Sequence, residues 1–219
     1  ISAVGSETVQ TNAKWKNVST TTQYNHYSMP LEVRDINSNH ASTKMGDRNS
    51  KVLVTSNAAY SEMYYSGAEY LSSNSAYFDG QVKSFGRQNS SNSAHTGSYY
   101  ISVGSGQKGF EIKLPTNSER VDNKSKFKIS VWVNSGNENK AQILVGTTPF
   151  DFRQSETVRA GNWSQLNGYI TISTSQTTVA LTSTGSTIRM DDFRLHPIAS
   201  SMTSYVYNDW DELWYIIGA

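Results

Sequence analysis

The chain contains no cysteine. Disulfides, thiolate metal sites and cysteine nucleophiles are therefore excluded, while the compartment is left open. Strong charge of either sign is also missing: 19 lysines and arginines against 18 aspartates and glutamates give a formal net charge of +1. Nothing in that balance suggests electrostatic capture of nucleic acid or of an anionic membrane surface. No apolar segment approaches the length of a membrane span. The first residue is Ile1, with no charged start leading into an apolar run, so the chain is expected to be a section of something longer. A sustained helical period is nowhere to be found.

Catalytic frameworks are equally scarce. There is no Gly-x-Ser-x-Gly elbow and no zincin motif. His26, His40, His95 and His196 lie far apart, without metal-ligand spacing. Gly104-Ser105-Gly106-Gln107-Lys108-Gly109 matches the dinucleotide fingerprint, which works only where a strand ends and a helix begins. Strand alternation follows at Phe110–Leu114, so these glycines are expected in a hairpin loop. Glu156 and Asp151 are read as surface carboxylates on a loop rather than a glycosidase pair. The expectation is a protein that is not an enzyme.

What is present is Ser, Thr, Asn and Gly in abundance, with only 17% charged residues in 219. That composition suits many short strands joined by polar turns. One stretch organises the rest. The polar turn Ala94-His95-Thr96-Gly97-Ser98 runs into Tyr99-Tyr100-Ile101-Ser102-Val103, which alternates like a half-buried strand. Gly97 stands where the backbone turns tightly and positive φ is open to glycine without a steric cost. Further strands are expected at 110–114, 126–133, 141–145, 162–166, 177–181 and 188–195, with a long polar loop after Val145. Alternation in Lys126–Val133 puts Phe127, Ile129, Val131 and Val133 on one face and Trp132 on the other.

On either side of this region the texture changes. Residues 1–14 read as an irregular lead-in. From Trp15, strands at 20–24, 31–34 and 51–56 alternate with turns at Tyr24–Pro30 and Asp35–Asn39. Strands are also expected at 202–208 and 212–217. The order Tyr24-Asn25…Ser28…Leu31-Glu32-Val33-Arg34-Asp35…Asn37-Ser38 resembles a tyrosine–aspartate (YD) repeat of the Rhs/teneurin class. Asn25 replaces the usual aspartate, and Ser28 and Ser38 stand where glycines are usual. A return strand of Leu213-Trp214-Tyr215-Ile216-Ile217 exposes an apolar edge unless a neighbouring repeat pairs with it.

Residues 60–198 resemble a carbohydrate-binding-module-like jelly roll of the galactose-binding-like superfamily. The likeness is carried by Tyr65-Ser66-Gly67-Ala68-Glu69, the Ala94–Val103 stretch, Phe127–Val133, Asn162–Leu166 and Asp191-Asp192-Phe193-Arg194-Leu195. The junction Asp191–Pro197 followed by Ser201-Met202-Thr203 is similar to the passage from module to repeat in Rhs-type surface proteins of Bacteroidetes. The expected organisation is thus 1–59 as lead-in and meander, 60–198 as an all-β jelly-roll sandwich, and 199–219 as the start of a further hairpin.

The resemblance implies a secreted or cell-surface location, neighbouring YD repeats as partners, and glycan as a possible ligand. It also implies a structural calcium held by Gly67 and Glu69, by His95 and Ser98 through carbonyls, and by Asp191. The competing reading leaves Glu69 and Asp191 exposed or salt-bridged, with no metal. Sugars stack on exposed rings, which makes Trp132, Tyr100 and Trp163 the candidate ligand-binding residues, with Phe150 and Phe152 in a nearby loop. Ordinary packing is the competing reading of each ring. Two functions remain open: an interaction module that holds glycan, and a structural spacer docked on the repeat shell.

Overall fold

Alternating apolar and polar residues, punctuated by Gly, Asn, Asp and Ser, build eighteen strands and no α-helix among the described residues. The computed structural model describes residues 16–46, 48–70, 82–90, 92–114, 126–172 and 178–218. The expected lead-in, Trp15 and Thr177 of the expected strand at 177–181 lie outside them. The strands are β1 (Ser19–Tyr24), β2 (Pro30–Asp35), β3 (His40–Gly46), β4 (Lys51–Ser56), β5 (Tyr64–Ser66), β6 (Lys83–Ser84), β7 (Arg87–Ser90), β8 (Tyr99–Val103) and β9 (Lys108–Lys113). They continue as β10 (Lys126–Asn134), β11 (Ala141–Val145), β12 (Thr148–Phe150), β13 (Val158–Ala160), β14 (Trp163–Thr171), β15 (Thr178–Ser183), β16 (Ile188–Pro197), β17 (Met202–Tyr207) and β18 (Leu213–Ile217). Among the described residues, no helix is long and apolar enough to cross a membrane.

Two antiparallel sheets face each other as a sandwich. One runs β13-β14-β10-β16-β8-β7, the other β12-β11-β15-β9-β6. Phe127, Ile129, Val131 and Val133 of β10 fill the space between them, together with Phe110 and Ile112 of β9, Ile143 of β11 and Leu181 of β15. Trp132 belongs to a separate cluster on the outer face, as strand parity requires. The passage Gly104–Gly109 is not a hairpin loop. It carries the chain from β8 in one sheet to β9 in the other, closing the sandwich edge. The polar loop expected after Val145 contains β12 and β13, both edge strands of three residues. Phe152 is buried in the core and Phe150 packs against it.

The two flanks come together. β1-β2-β3-β4 continue directly into β17-β18 as a single six-stranded sheet. Ser56 on β4 is registered opposite Met202 on β17. Met202 is buried with Val54, Ala58 and Met63, which seals this sheet onto the sandwich.

Three turns of this sheet share one geometry. In the turns starting at Asn25, Asp35 and Asn208, the first side chain accepts hydrogen bonds from the amides two and four residues on. In each, the fourth residue donates its amide to the carbonyl of the first. That fourth residue, Ser28, Ser38 or Asp211, has φ of 62°, 66° or 66°. Left-handed backbone costs an L-residue roughly 1–2 kcal/mol, so the Asx hydrogen bonds hold the turn against that strain.

Candidate functional site

The turn around Gly97 is fixed from two sides. Gly97 has φ of +62°, and a Cβ placed there would collide with Glu69 Oε1 and come within 3.1 Å of Val206 Cγ1. Glu69 Oε1 accepts the Ser98 and Tyr99 amides, both at 2.9 Å. From the other side, Asp191 Oδ2 accepts the His95 amide at 2.9 Å and the Thr96 amide at 3.4 Å. Asp192 Oδ2 takes the Thr96 hydroxyl at 2.8 Å and meets His95 Nδ1 at 2.7 Å, while its Oδ1 accepts the Tyr65 hydroxyl at 2.9 Å.

Adjacent residues of a regular strand point to opposite faces, so two aspartates in sequence should not serve one turn. A bulge makes it possible. β10 spans Ser130 to Trp132 while β16 spans Arg194 to Asp191, leaving one extra residue on β16. Asp192 there has φ of +46°. The opposite edge of β16 changes partner at the same place, from β8 at Ile188–Met190 to β5 at Phe193–Leu195. Bulges of this kind re-aim a side chain and end a run of pairing. Both aspartates are fully buried.

Burial pushes Glu69 up to about 7, aided by Asp192 and Asp209 and opposed by the Tyr99 and Ser98 amides. Burial and the Asp192 charge raise Asp191 well above the usual carboxylate range, against the amides it accepts. Tyr65 is raised by burial and by the same aspartates. The nearby cation is Arg194, itself buried and lowered by desolvation. It donates to the Met202 carbonyl and, at 2.5 Å, to the Gly218 carbonyl, binding β16 to the meander sheet.

The three candidate rings are gathered, but they are covered. Trp132, Tyr100 and Trp163 form one cluster, and only 8%, 8% and 5% of each is exposed. The His95 ring stacks on Trp132, and Trp163 stands edge-on to Tyr100 at 6.2 Å. Trp163 Nε1 donates to the Ser93 carbonyl at 3.0 Å, Ala94 packs against the cluster, and Arg189 stands over the Tyr100 ring at 5.1 Å. As stacking platforms these rings are covered by the 93–95 turn and by Arg189.

No family model matches the chain. No curated protein matches it either. Among solved structures, it is similar to the CBM22-1–GH10 modules of the N-terminal endo-1,4-β-D-xylanase 10B of Clostridium thermocellum, complexed with xylohexaose. Identity is 14% and the TM-score 0.32, over 64% of this chain. The chain spans 27% of that structure's length.

Elsewhere, each sequence candidate has a local partner. Glu156 accepts from Arg153 at 3.0 Å and from the Tyr169 hydroxyl at 2.9 Å, and Asp151 accepts from Gln142. His26 stands beside Tyr27, and His196 is buried with its Nδ1 at 2.9 Å from the Pro197 carbonyl. Among the described residues, no group of three or more His, Asp or Glu side chains could hold a metal ion. Sequence reasoning missed Thr96, Asp192 and Tyr65. Asp192 was visible only as the second member of an Asp-Asp pair, and the bulge that recruits it has no sequence mark.

Proposed function

We propose that this chain is a non-catalytic interaction module, in which a jelly-roll sandwich is locked to a β-meander that docks neighbouring strands of a larger secreted or surface protein. The observation that carries the reading is β18. Leu213, Trp214, Tyr215 and Ile216 are 49%, 52%, 37% and 62% exposed. The strand pairs with β17 along one edge and, among the described residues, with nothing along the other. Exposed edges are ordinarily blunted by lysine, proline or a bulge, and an apolar one reads as a pairing surface. The three matching Asx turns support a repeat of the YD kind as the partner. Fluorescence anisotropy of a labelled peptide copying residues 202–218 tests this. Saturable binding that Ile216→Lys abolishes is expected, and a flat titration of the parent chain removes the reading.

Glycan binding through Trp132, Tyr100 and Trp163 is the second reading, supported by the gathering of the rings and opposed by their cover. Retention on a glycan panel, lost in a folded Trp163→Ala variant, would favour it over a spacer without a small ligand.

Calcium belongs to the same proposal. Buried Asp191 and Asp192 and half-buried Glu69 converge on one turn, and carboxylate and carbonyl oxygens are the donors calcium takes, although these side chains as they stand form no ready ligand group. Glu69 and Asp191 would contribute carboxylates, and Gly67, His95 and Ser98 main-chain oxygens, holding the turn to β16. The present hydrogen bonds from amides to Glu69 Oε1 and Asp191 compete with that role. A melting temperature raised by calcium and lowered by EDTA is expected, and equal values in both would remove the ion.

A further inference from the structure

We infer that the cleft at one end of the sandwich, between two connections that cross from sheet to sheet, binds the zwitterionic head of a free α-amino acid. The cleft holds about 470 Å³ and is lined by Gly136, Glu138, Asn139, Gln154, Thr157 and Arg159. Ligand pockets run to roughly 300–1000 Å³, so it has room for a small molecule.

The fold sets its position. β10 and β13 belong to one sheet and β11 and β12 to the other, so segments 135–140 and 151–157 both pass between the sheets. Arg159 on β13 is registered opposite Ser164 on β14. Ser164 alternates with the core residues Leu166 and Ile170, whereas Trp163 belongs to the outer cluster. The cleft therefore lies between the sheets, on the side away from the candidate rings. Both of its walls are anchored. On one, Phe152 is buried in the core, the Arg153 amide donates to the Asn167 carbonyl at 2.8 Å, and Asn167 Nδ2 donates to the Glu156 carbonyl at 3.0 Å. On the other, the Ser135 amide donates to the Asn162 carbonyl at 2.9 Å and the Lys140 amide to the Asn137 carbonyl at 3.0 Å.

Two opposite charges stand side by side within it. Glu138 Oε1 accepts the Ser164 hydroxyl at 2.7 Å and lies 3.5 Å from Arg159 Nη2. Burial works to raise Glu138, but the Ser164 hydroxyl, the Glu138 and Gly136 amides and Arg159 together hold its carboxyl below the usual carboxylate range. The Arg159 side chain is 74% exposed, which leaves most of its fork of donors open to a ligand. Thr157 Oγ1 is buried with no hydrogen-bond partner among the described residues. Asn139 and Gln154 add two side-chain amides.

The complement of a carboxylate beside a guanidinium is an ammonium and a carboxylate on neighbouring carbons, laid head to tail against the pair. A lone anion drawn to Arg159 meets Glu138, and a lone cation drawn to Glu138 meets Arg159. A sugar or a quaternary ammonium finds no ring in the lining. An α-amino acid satisfies both charges through charge-assisted hydrogen bonds without separating the pair. With no apolar wall to pack against, its side chain should be small or polar.

The site is independent of strand docking at β18, and Ile216→Lys should leave it intact. The test is a ¹⁵N-HSQC titration of the full chain at low salt with glycine, serine and glutamine. N-acetylglycine, ethanolamine and a methyl glycoside serve as ligands that lack the ammonium, the carboxylate or both. Shifts confined to 136–139, 154–159 and Ser164 should saturate for at least one amino acid. The cleft is open to solvent, which predicts a dissociation constant of about millimolar order. N-acetylglycine and ethanolamine should each bind about tenfold more weakly. Arg159→Gln should remove the advantage of the amino acid over ethanolamine while the fold persists. If that variant fails to fold, the ligand series on the parent chain decides alone. Saturation by no amino acid, equal binding of the singly charged compounds, tighter binding of the glycoside, or shifts centred outside the cleft overturns the assignment.

Discussion

The imidazole of His95 lies on the indole of Trp132, centroids 3.7 Å apart and planes 16° from parallel, while its Nδ1 reaches Asp192. One side chain thus joins the outer aromatic cluster to the buried carboxylates of β16. His95→Ala removes the stack and leaves a buried carboxylate oxygen short of a partner. A loss of about 2 kcal/mol is expected, with tryptophan emission shifted to the red as Trp132 is uncovered. Urea unfolding followed by fluorescence measures both. An unchanged midpoint would mean that the turn is held without His95.

Gly97 and Gly106 separate two causes of glycine dependence. Both have positive φ, 62° and 72°, but an added Cβ collides with Glu69 at the first and meets nothing within 4 Å at the second. Gly106→Ala should cost about 1 kcal/mol of backbone strain. Gly97→Ala should cost clearly more, since it also pushes Glu69 off two amides. Equal losses in paired denaturation curves would show that collision adds nothing.

Much of this arrangement was legible in the sequence, and the parts that were not share a cause. Strand alternation located β1, β8, β10 and β11 and put Trp132 on the outer face. It passed over β3, whose buried residues are polar ones such as His40, Ser42 and Lys44, because a hydrophobic period cannot mark them. Side-chain pattern is local, whereas the β4–β17 pairing, the bulge at Asp192 and the passage from β8 to β9 depend on where distant strands lie. The candidate rings were found as a group. Their cover was not, since it comes from the turn at 93–95 and from Arg189 on a distant strand.

The strained turns offer a gain in stability. Ser28 and Ser38 hold left-handed backbone that glycine adopts freely. Ser28→Gly and Ser38→Gly should each stabilise the meander by about 0.5–1 kcal/mol, the relief of strain exceeding glycine's added freedom in the unfolded chain. Thermal denaturation of the single and double variants checks this. A lowered melting temperature in both would show that their side chains matter more than their backbone.

His196 should make the fold acid-sensitive. Burial lowers it from 6.5 to about 4, so the folded chain keeps it neutral where the unfolded chain has protonated it. Its contribution is complete above pH 6.5 and is lost as pH falls from there toward 4, at up to about 1.4 kcal/mol per pH unit. Glu69, raised by burial, acts in the opposite direction, so the difference between the parent chain and His196→Gln isolates the histidine. Stability curves of the two that stay parallel from pH 7 to 4 would exclude this role.

The register between Ser56 and Met202 also sets an order of events as the chain is made. β1 to β4 leave the ribosome long before β17, their next neighbour, has been synthesised. The inner edge of β4 must wait while the whole sandwich is translated and folds. A contact spanning that much sequence closes late and slowly. The sandwich therefore acts as the timer for its own meander, and a slow-folding defect in the core would leave the unfinished edge at β4 open to other chains.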